Sequence, residues 1–388
     1  MKKRLLIGLA ALGLCLLAGV VVSRFRSEGL LYQGKTIKAW AIQLDAMSPQ
    51  AREESAAAFR AIGSQAVPEL IRLVDSRDPI WRKTLWRNRD RLPRGWRIQM
   101  VRHSGVLQEQ VVHSAAARAL AIIGPDAKAA VNALGRMLRS GDRVSLGEAA
   151  TALGRIGKAS VPVLLGALRE TDADVREAAI YALAQVGAEA EPAIPALIQE
   201  LKDQKEGIRV AAISCLGSIG PRAAPALVQA IEQEKGPVRQ GAAKALMASG
   251  ASRKLVEPAL LRMVQDEEAA SRQQALATLA AIHAYEEPAI TAMTAALKDP
   301  VLEVRVAAAK GLGEVRWKAQ PAVPALAEVL KDESPMLRSN AVKTLGAIGP
   351  PAKGALPALT RMSDEDPDLA VRAAAREALG KIQAGQGK

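Results

Sequence analysis

The chain has 388 residues, with 53 Lys and Arg against 40 Asp and Glu, for a net charge of +13. Aromatic residues are only 3% of it, so the core must be built from alanine and leucine, and two cysteines, Cys15 and Cys215, exclude a disulfide framework. A compact protein of this length would make about two domains, whereas a repeat array extends without one growing core.

The N-terminus reads Met1-Lys-Lys-Arg4, then an uncharged apolar run from Leu5 to Val22, then Ser23-Arg-Phe-Arg26. That run is at the short end for a membrane span and longer than the apolar region of most signal peptides. No Ala-x-Ala cleavage site follows, and Cys15 lacks a lipobox because Leu14 precedes it. Residues 1–26 are therefore expected to form an uncleaved signal anchor, a single transmembrane helix; the alternative is a cleaved signal peptide and a secreted protein. Flanking charges decide little, since Lys2, Lys3 and Arg4 oppose Arg24, Arg26, Lys35 and Lys38. A short N-terminal tail stays cytoplasmic, which places the remainder outside, in the periplasm.

Residues 27–36 read as a linker. Within it, Gly29-Leu-Leu-Tyr-Gln-Gly34-Lys35-Thr36 fits the phosphate-loop pattern by letter. That chemistry needs a buried strand before the loop and a helix after it, with backbone N–H groups curled around phosphates. Here an apolar segment and a charged linker precede it, and the intervening residues are bulky. The expected role is local: Thr36 caps a helix over Lys38–Leu44, and Trp40 packs on the first repeat, residues 37–75.

From Arg52 onward one pattern recurs ten times, a small-residue helix closing on Leu-x-x-Ile-Gly. Its last position falls at Gly63, Gly124, Gly157, Gly187, Gly220, Gly250, His283, Arg316, Gly349 and Gln383. After a first gap of 61 residues the steps are 30 to 34, the period of a solenoid in which each unit buries its apolar face against its neighbours. Four residues before that position stands Leu, or Phe59 in the first copy, and eight before it stands Ala in nine copies, for example Ala116, Ala212 and Ala308. These offsets share one helix face, and no period-2 alternation argues for strands. Pro-marked starts such as Val67-Pro68, Val161-Pro162 and Gln320-Pro321 open a second helix in each unit. The fold class is all-α: an α-solenoid of about ten stacked helix pairs over residues 37–75 and 111–388, the last a single helix near Leu369–Gln383.

The long first gap implies about 28 inserted residues within 76–110. Ser76–His103 holds Arg77, Arg82, Lys83, Arg87, Arg89, Arg91, Arg94, Arg97 and Arg102 against Asp78 and Asp90, a local charge of +7. It also holds Trp81, Trp86 and Trp96, three of the five tryptophans. Basic residues interleaved with tryptophan suit an anionic partner or a bilayer interface, and equally a solvated structural cap. Arg82, Lys83, Arg87, Arg89, Arg91, Arg94, Arg97, Trp81, Trp86 and Trp96 are the candidate anion- or partner-binding residues.

Strings such as Asp174-Val-Arg-Glu-Ala-Ala-Ile-Tyr-Ala-Leu-Ala-Gln-Val-Gly187 and Val304-Arg-Val-Ala-Ala-Ala-Lys-Gly-Leu-Gly313 resemble the HEAT repeat family, in its bacterial, phycobilisome-lyase-type form. The resemblance covers Ile37 to the C-terminus and implies an interaction scaffold. The Gly-Lys-Thr-x-x-x-Trp opening looks like the start of other bacterial membrane-anchored repeat proteins.

Eleven residues before the closing position stands Arg52, Arg176, Arg209, Arg239, Arg272, Arg305, Arg338 or Arg372, and six before five of them stands Asp203, Asp266, Asp299, Asp332 or Asp366. Arg176, Arg209, Arg239, Arg272, Arg305, Arg338 and Arg372 read as a structural ladder, each planar fork bonding acceptors along the stack, rather than an anion stripe. Three scattered histidines, His103, His113 and His283, have no metal-ligand spacing, and no cofactor or catalytic constellation is expected. The expected function is a membrane-tethered scaffold binding other proteins along its concave face. The alternatives are an anionic-lipid or polyanion module through residues 76–103, or a lyase or chromophore-handling factor on the same fold. Nucleic acid is not an expected partner.

Overall fold

The computed structural model describes residues 30–76, 106–140 and 143–384, which divide into two compact units, one up to Val186 and one from Gly187. Leu5–Val22 lies outside the described residues. So do Trp81, Arg82, Lys83, Trp86, Arg87, Arg89, Arg91, Arg94, Trp96 and Arg97.

The first unit opens with a difference from the sequence reading. The linker folds into a two-residue hairpin, β1 (Leu31–Tyr32) paired antiparallel with β2 (Lys35–Thr36). Its corner is Gln33-Gly34, both at positive φ (49° and 75°), the backbone that matches the right-handed twist of a hairpin. Two residues per strand are too few for period-2 alternation to register.

Helix α1 (Ile37–Gln43) follows directly, capped by Thr36, whose hydroxyl accepts from Ala39 N at 3.2 Å. Trp40 is buried, and its indole N–H donates to Tyr32 O at 2.9 Å, which ties the hairpin to the helix. The unit continues with α2 (Pro49–Ile62), α3 (Val67–Val74), α4 (Val106–Ile123), α5 (Val131–Leu138), α6 (Arg143–Ile156), α7 (Val161–Ala167) and α8 (Ala173–Val186). Because α4 begins at Val106, the last five residues assigned to the insertion belong to a repeat helix.

The second unit runs α9 (Ile194–Glu200), α10 (Glu206–Ile219), α11 (Ala224–Gln233), α12 (Gly236–Ser249), α13 (Arg253–Met263), α14 (Ala269–Ala281), α15 (Glu287–Ala296), α16 (Leu302–Glu314), α17 (Val323–Val329), α18 (Pro335–Ile348), α19 (Leu356–Glu365) and α20 (Leu369–Ala384). Within each unit the chain is the stacked helix pairs of an α-solenoid. Long helices pack on long helices, α6 between α4 and α8, and α16 between α14 and α18.

The close stacking has a visible cause. Ala116, Ala149, Ala179, Ala212, Ala242, Ala275, Ala308, Ala341 and Ala375 are all fully buried, as are the leucines one turn further on except Leu379, which is half-buried. A second column, three residues before the closing position, carries Gly154, Gly217, Gly313 and Gly346. A methyl group on Gly217 would lie 2.7 Å from the Ala248 Cβ, so only hydrogen fits there. Buried hydroxyls add bonds between repeats: Thr344 donates to Ala309 O at 2.7 Å.

Each pair turns at its closing residue. Gly63, Gly124, Gly157, Gly187, Gly220, Gly250 and Gly349 all have positive φ. His283 (φ 52°) and Arg316 (φ 54°), which stand where the pattern has glycine, keep the same left-handed backbone. That conformation disfavours residues with a Cβ by roughly 1–2 kcal/mol, so the fold imposes it on both.

Candidate functional site

The ladder arginines come first, because they account for most of the buried charge. Six of them use one nitrogen, Nη1, to close the turn before their own helix. Arg176 donates to Glu170 O and Thr171 O, Arg209 to Asp203 O and Gln204 O, and Arg272, Arg305, Arg338 and Arg372 repeat the pattern at 2.7–2.9 Å to the carbonyl six residues back. For four arginines of the second unit the fork also reaches the aspartate of the next repeat. Arg272 grips Asp299 through Nε and Nη2 at 2.7 and 2.9 Å, and Arg338 grips Asp366 through the same atoms at 2.8 Å each. Arg239 pairs with Asp266, and Arg305 meets Asp332 at 3.4 Å with its Nε buried and unbonded. The Arg272 and Arg338 hydrogen bonds hold the Asp299 and Asp366 carboxyls below the usual carboxylate range, against the upward push of burial. A surface cleft of about 660 Å³ lies among Asp299, Arg305 and Asp332 and is therefore part of this structural ladder.

The letters of the phosphate-loop pattern are likewise spent on structure. Lys35 donates to Gln43 Oε1 at 2.8 Å and lies 4.2 Å from the Trp40 ring centroid, while Gly34 forms the hairpin corner and Thr36 the helix cap. Cys215 is fully buried, and desolvation pushes its thiol up to about 12. His113 meets the Ser76 hydroxyl at 2.8 Å. Among the described residues no group of His, Cys, Asp and Glu is arranged to hold a metal ion.

Two groups of side chains remain that the fold does not use up. One is a ledge on three successive turns of the second unit. Tyr285 lies between two cations, Arg253 at 4.4 Å and Lys318 at 3.4 Å from its ring centroid, and Lys318 is 5.7 Å from the ring of Trp317. Arg253 opens α13 and is held by His283 O at 3.1 Å and Glu286 Oε1 at 2.8 Å. Tyr285 first, then Glu286 and Glu257, keep its guanidinium above its ordinary value. Trp317 remains 63% exposed and Tyr285 37%. Sequence reasoning fixed on the tryptophans of the insertion and passed over this pair. The available signal was the replacement of turn glycine by His283 and Arg316, each within two residues of one of these rings.

The other group is a cleft of about 600 Å³ in the first unit, between α2, α4 and α6. Its rim carries Arg52 and Arg60 from α2, Arg118 from α4 and Arg155 from α6. Arg60 pairs with Glu53 at 2.9 Å, and Arg118 with Asp45 and, at 3.6 Å, with Glu148. Burial raises the Glu148 carboxyl above its usual range, Arg118 opposing and Asp45 adding to the rise. Arg52, though in ladder register, makes none of the ladder bonds.

The profile described as HEAT repeats matches residues 107–184, 194–280 and 290–380, and that described as PBS lyase HEAT-like repeat matches residues 175–203. No curated protein sequence matches the chain. Among solved structures, the chain is similar to Kap95p, whose binding switches the loops of RanGDP to the GTP-bound conformation, with 16% identity, a TM-score of 0.52 and 89% of this chain covered against 51% of that one. It is similar to Kap121p bound to RanGTP (14% identity, TM-score 0.51, 90% and 44% covered) and to Kap121p bound to Ste12p (15%, 0.51, 89% and 44%). At these identities the likeness is one of fold, and the chain spans about half the length of these karyopherin chains, or less.

Proposed function

The chain belongs to the HEAT repeat family, and from that premise we propose that it is an interaction scaffold whose partner protein docks on the ledge of Arg253, Tyr285, Trp317 and Lys318. The observation that carries this reading is Trp317, 63% exposed beside a tyrosine clasped by two cations. Trp, Tyr and Arg are the residue types that dominate binding energy at protein interfaces, since they offer large area at low entropic cost together with a polar handle. The two turns bearing these rings are also the two whose closing residue is forced left-handed without being glycine, and strain kept at an exposed position is a mark of function.

In this reading the run Leu5–Val22 tethers the scaffold to a membrane with the repeats outside the cytoplasm. The apolar run and the missing cleavage site support the tether, and the short N-terminal tail supports the orientation. The local +7 charge and three tryptophans of residues 76–103 favour a second contact, with anionic lipid headgroups.

The test is chemical crosslinking in native membranes, followed by affinity capture and mass spectrometry, with the wild-type chain and with Trp317→Ala. A protein captured by the wild type and lost from the variant supports the reading. Identical captures from both would remove the ledge as the interface, and no captured partner at all would remove the scaffold. Salt-sensitive cosedimentation with anionic but not neutral liposomes, abolished by charge reversal at Arg87, Arg89, Arg91 and Arg94, tests the lipid contact.

A further inference from the structure

We propose that the arginine cleft of the first unit binds an acidic peptide segment of a partner protein, with carboxylates on Arg52 and Arg155. This site is separate from the ledge, and its test does not depend on Trp317.

The argument starts from what the fold does with arginine elsewhere. In the second unit, four arginines eleven residues before the closing position meet a carboxylate of the next repeat, Arg272 taking Asp299 and Arg338 taking Asp366 among them, whereas the matching position for Arg209 is Gln233. Arg52 holds that same register in the first repeat. The position that supplies Asp266, Asp299, Asp332 and Asp366 to the later arginines falls, by count, on Leu107 in the next copy. The ladder carboxylate is therefore missing from the sequence, and Arg52 is exposed on the rim of the cleft. Arg155 is exposed on the opposite side, from α6. Among the described residues no ion pair or side-chain hydrogen bond engages either one.

Arg118 sits between them with its charge already answered by Asp45 and Glu148. The cleft thus presents two uncompensated guanidinium forks whose geometry matches carboxylates bidentately. Its floor is apolar, with Leu44 and Ala56 buried and Ile122 half-buried, which suits an aliphatic side chain between the acidic ones. The volume of about 600 Å³ falls within the roughly 300–1,000 Å³ of known ligand clefts.

The experiment uses the full chain in neutral detergent and fluorescence anisotropy with three labelled probes: a ten-residue peptide alternating Glu with Leu and Ala, the same peptide with Lys for Glu, and inorganic polyphosphate. The acidic peptide is expected to bind, to weaken with salt and to lose at least tenfold in affinity in Arg52→Glu/Arg155→Glu, while Trp317→Ala leaves it unchanged and the Lys peptide does not bind. Both arginines are exposed and unpaired, so circular dichroism and the melting curve should not move; should the double reversal misfold, Arg52→Gln/Arg155→Gln carries the same comparison. Absence of acidic-peptide binding at low salt overturns the proposal. So does undiminished binding to the double variant, which would move the interaction to another basic surface such as residues 76–103. Tight polyphosphate binding without peptide binding would assign the cleft to phosphate and equally overturn it.

Discussion

Arg338 donates two parallel hydrogen bonds, from Nε and Nη2, to the Asp366 carboxylate at 2.8 Å each, while its Nη1 bonds the carbonyls of Asp332 and Glu333. Asp366 in turn accepts from the backbone N–H of Asp368 at 2.9 Å, which sets the turn ahead of α20. One buried pair therefore closes a turn in its own repeat and fastens the next. Removing one partner strands the other charge in the stack, and Arg338→Ala should cost about 3–5 kcal/mol. Chemical denaturation is the measurement; an unchanged midpoint would show that the pair contributes nothing net.

The same pair predicts a pH dependence. Hydrogen bonds from Arg338 and Arg272 depress the Asp366 and Asp299 carboxyls in the folded chain. Their stabilisation is fully present above the unfolded carboxylate value of ~3.9 and is lost as pH falls through the lower folded values. The stability gap between wild type and Asp366→Asn should hold from pH 7 to about pH 5 and narrow toward pH 3. A gap that is the same at pH 7 and pH 3 contradicts the linkage.

Arg316→Gly should relieve the left-handed backbone and stabilise the fold by about 1 kcal/mol after the extra freedom glycine gives the unfolded chain, so that the melting temperature rises. If the ledge is an interface, the same variant should capture less partner in the crosslinking assay. Lower stability would mean that the Arg316 side chain itself supports the turn.

Gly217→Ala inserts a methyl group 2.7 Å from the Ala248 Cβ, between α10 and α12. Alanine favours helix by ~1 kcal/mol, but overpacking costs roughly 1–3 kcal/mol and should prevail, lowering the melting temperature. Gly147→Ala, where no atom lies within 4 Å of the new methyl, is the control expected to gain.

Cys215, fully buried with its thiol raised to about 12, should resist maleimide at pH 8 in the folded chain and react once denatured, as peptide mapping will report. Rapid labelling of the folded chain would show that the α10 face opens.

The helix pairs were legible because their causes are local. The −8 and −4 columns, the prolines and the closing glycines each act within a turn or two of helix, and the structure places the last helix, Leu369–Ala384, within a residue or so of the span read from the sequence. The glycine column at Gly154, Gly217, Gly313 and Gly346 was harder to see, because small residues also occur on exposed helix faces and only stacking shows which ones another helix approaches. The ledge was missed for a related reason: a tryptophan codon position says nothing about exposure, and Trp40 is buried while Trp317 is not.

The sequence by itself determined that this is a repeat array of paired helices, where each pair turns and which arginines share one register, since periodicity and backbone permissiveness are properties of short segments. Only the tertiary structure decided how those arginines are answered. Arg338 finds its carboxylate 28 residues on because stacking brings Asp366 beneath it, whereas Arg52, in the same register, stands exposed in a cleft beside Arg155. A side chain's partner in a solenoid lies one repeat away, and that distance is crossed by packing, which no local pattern specifies.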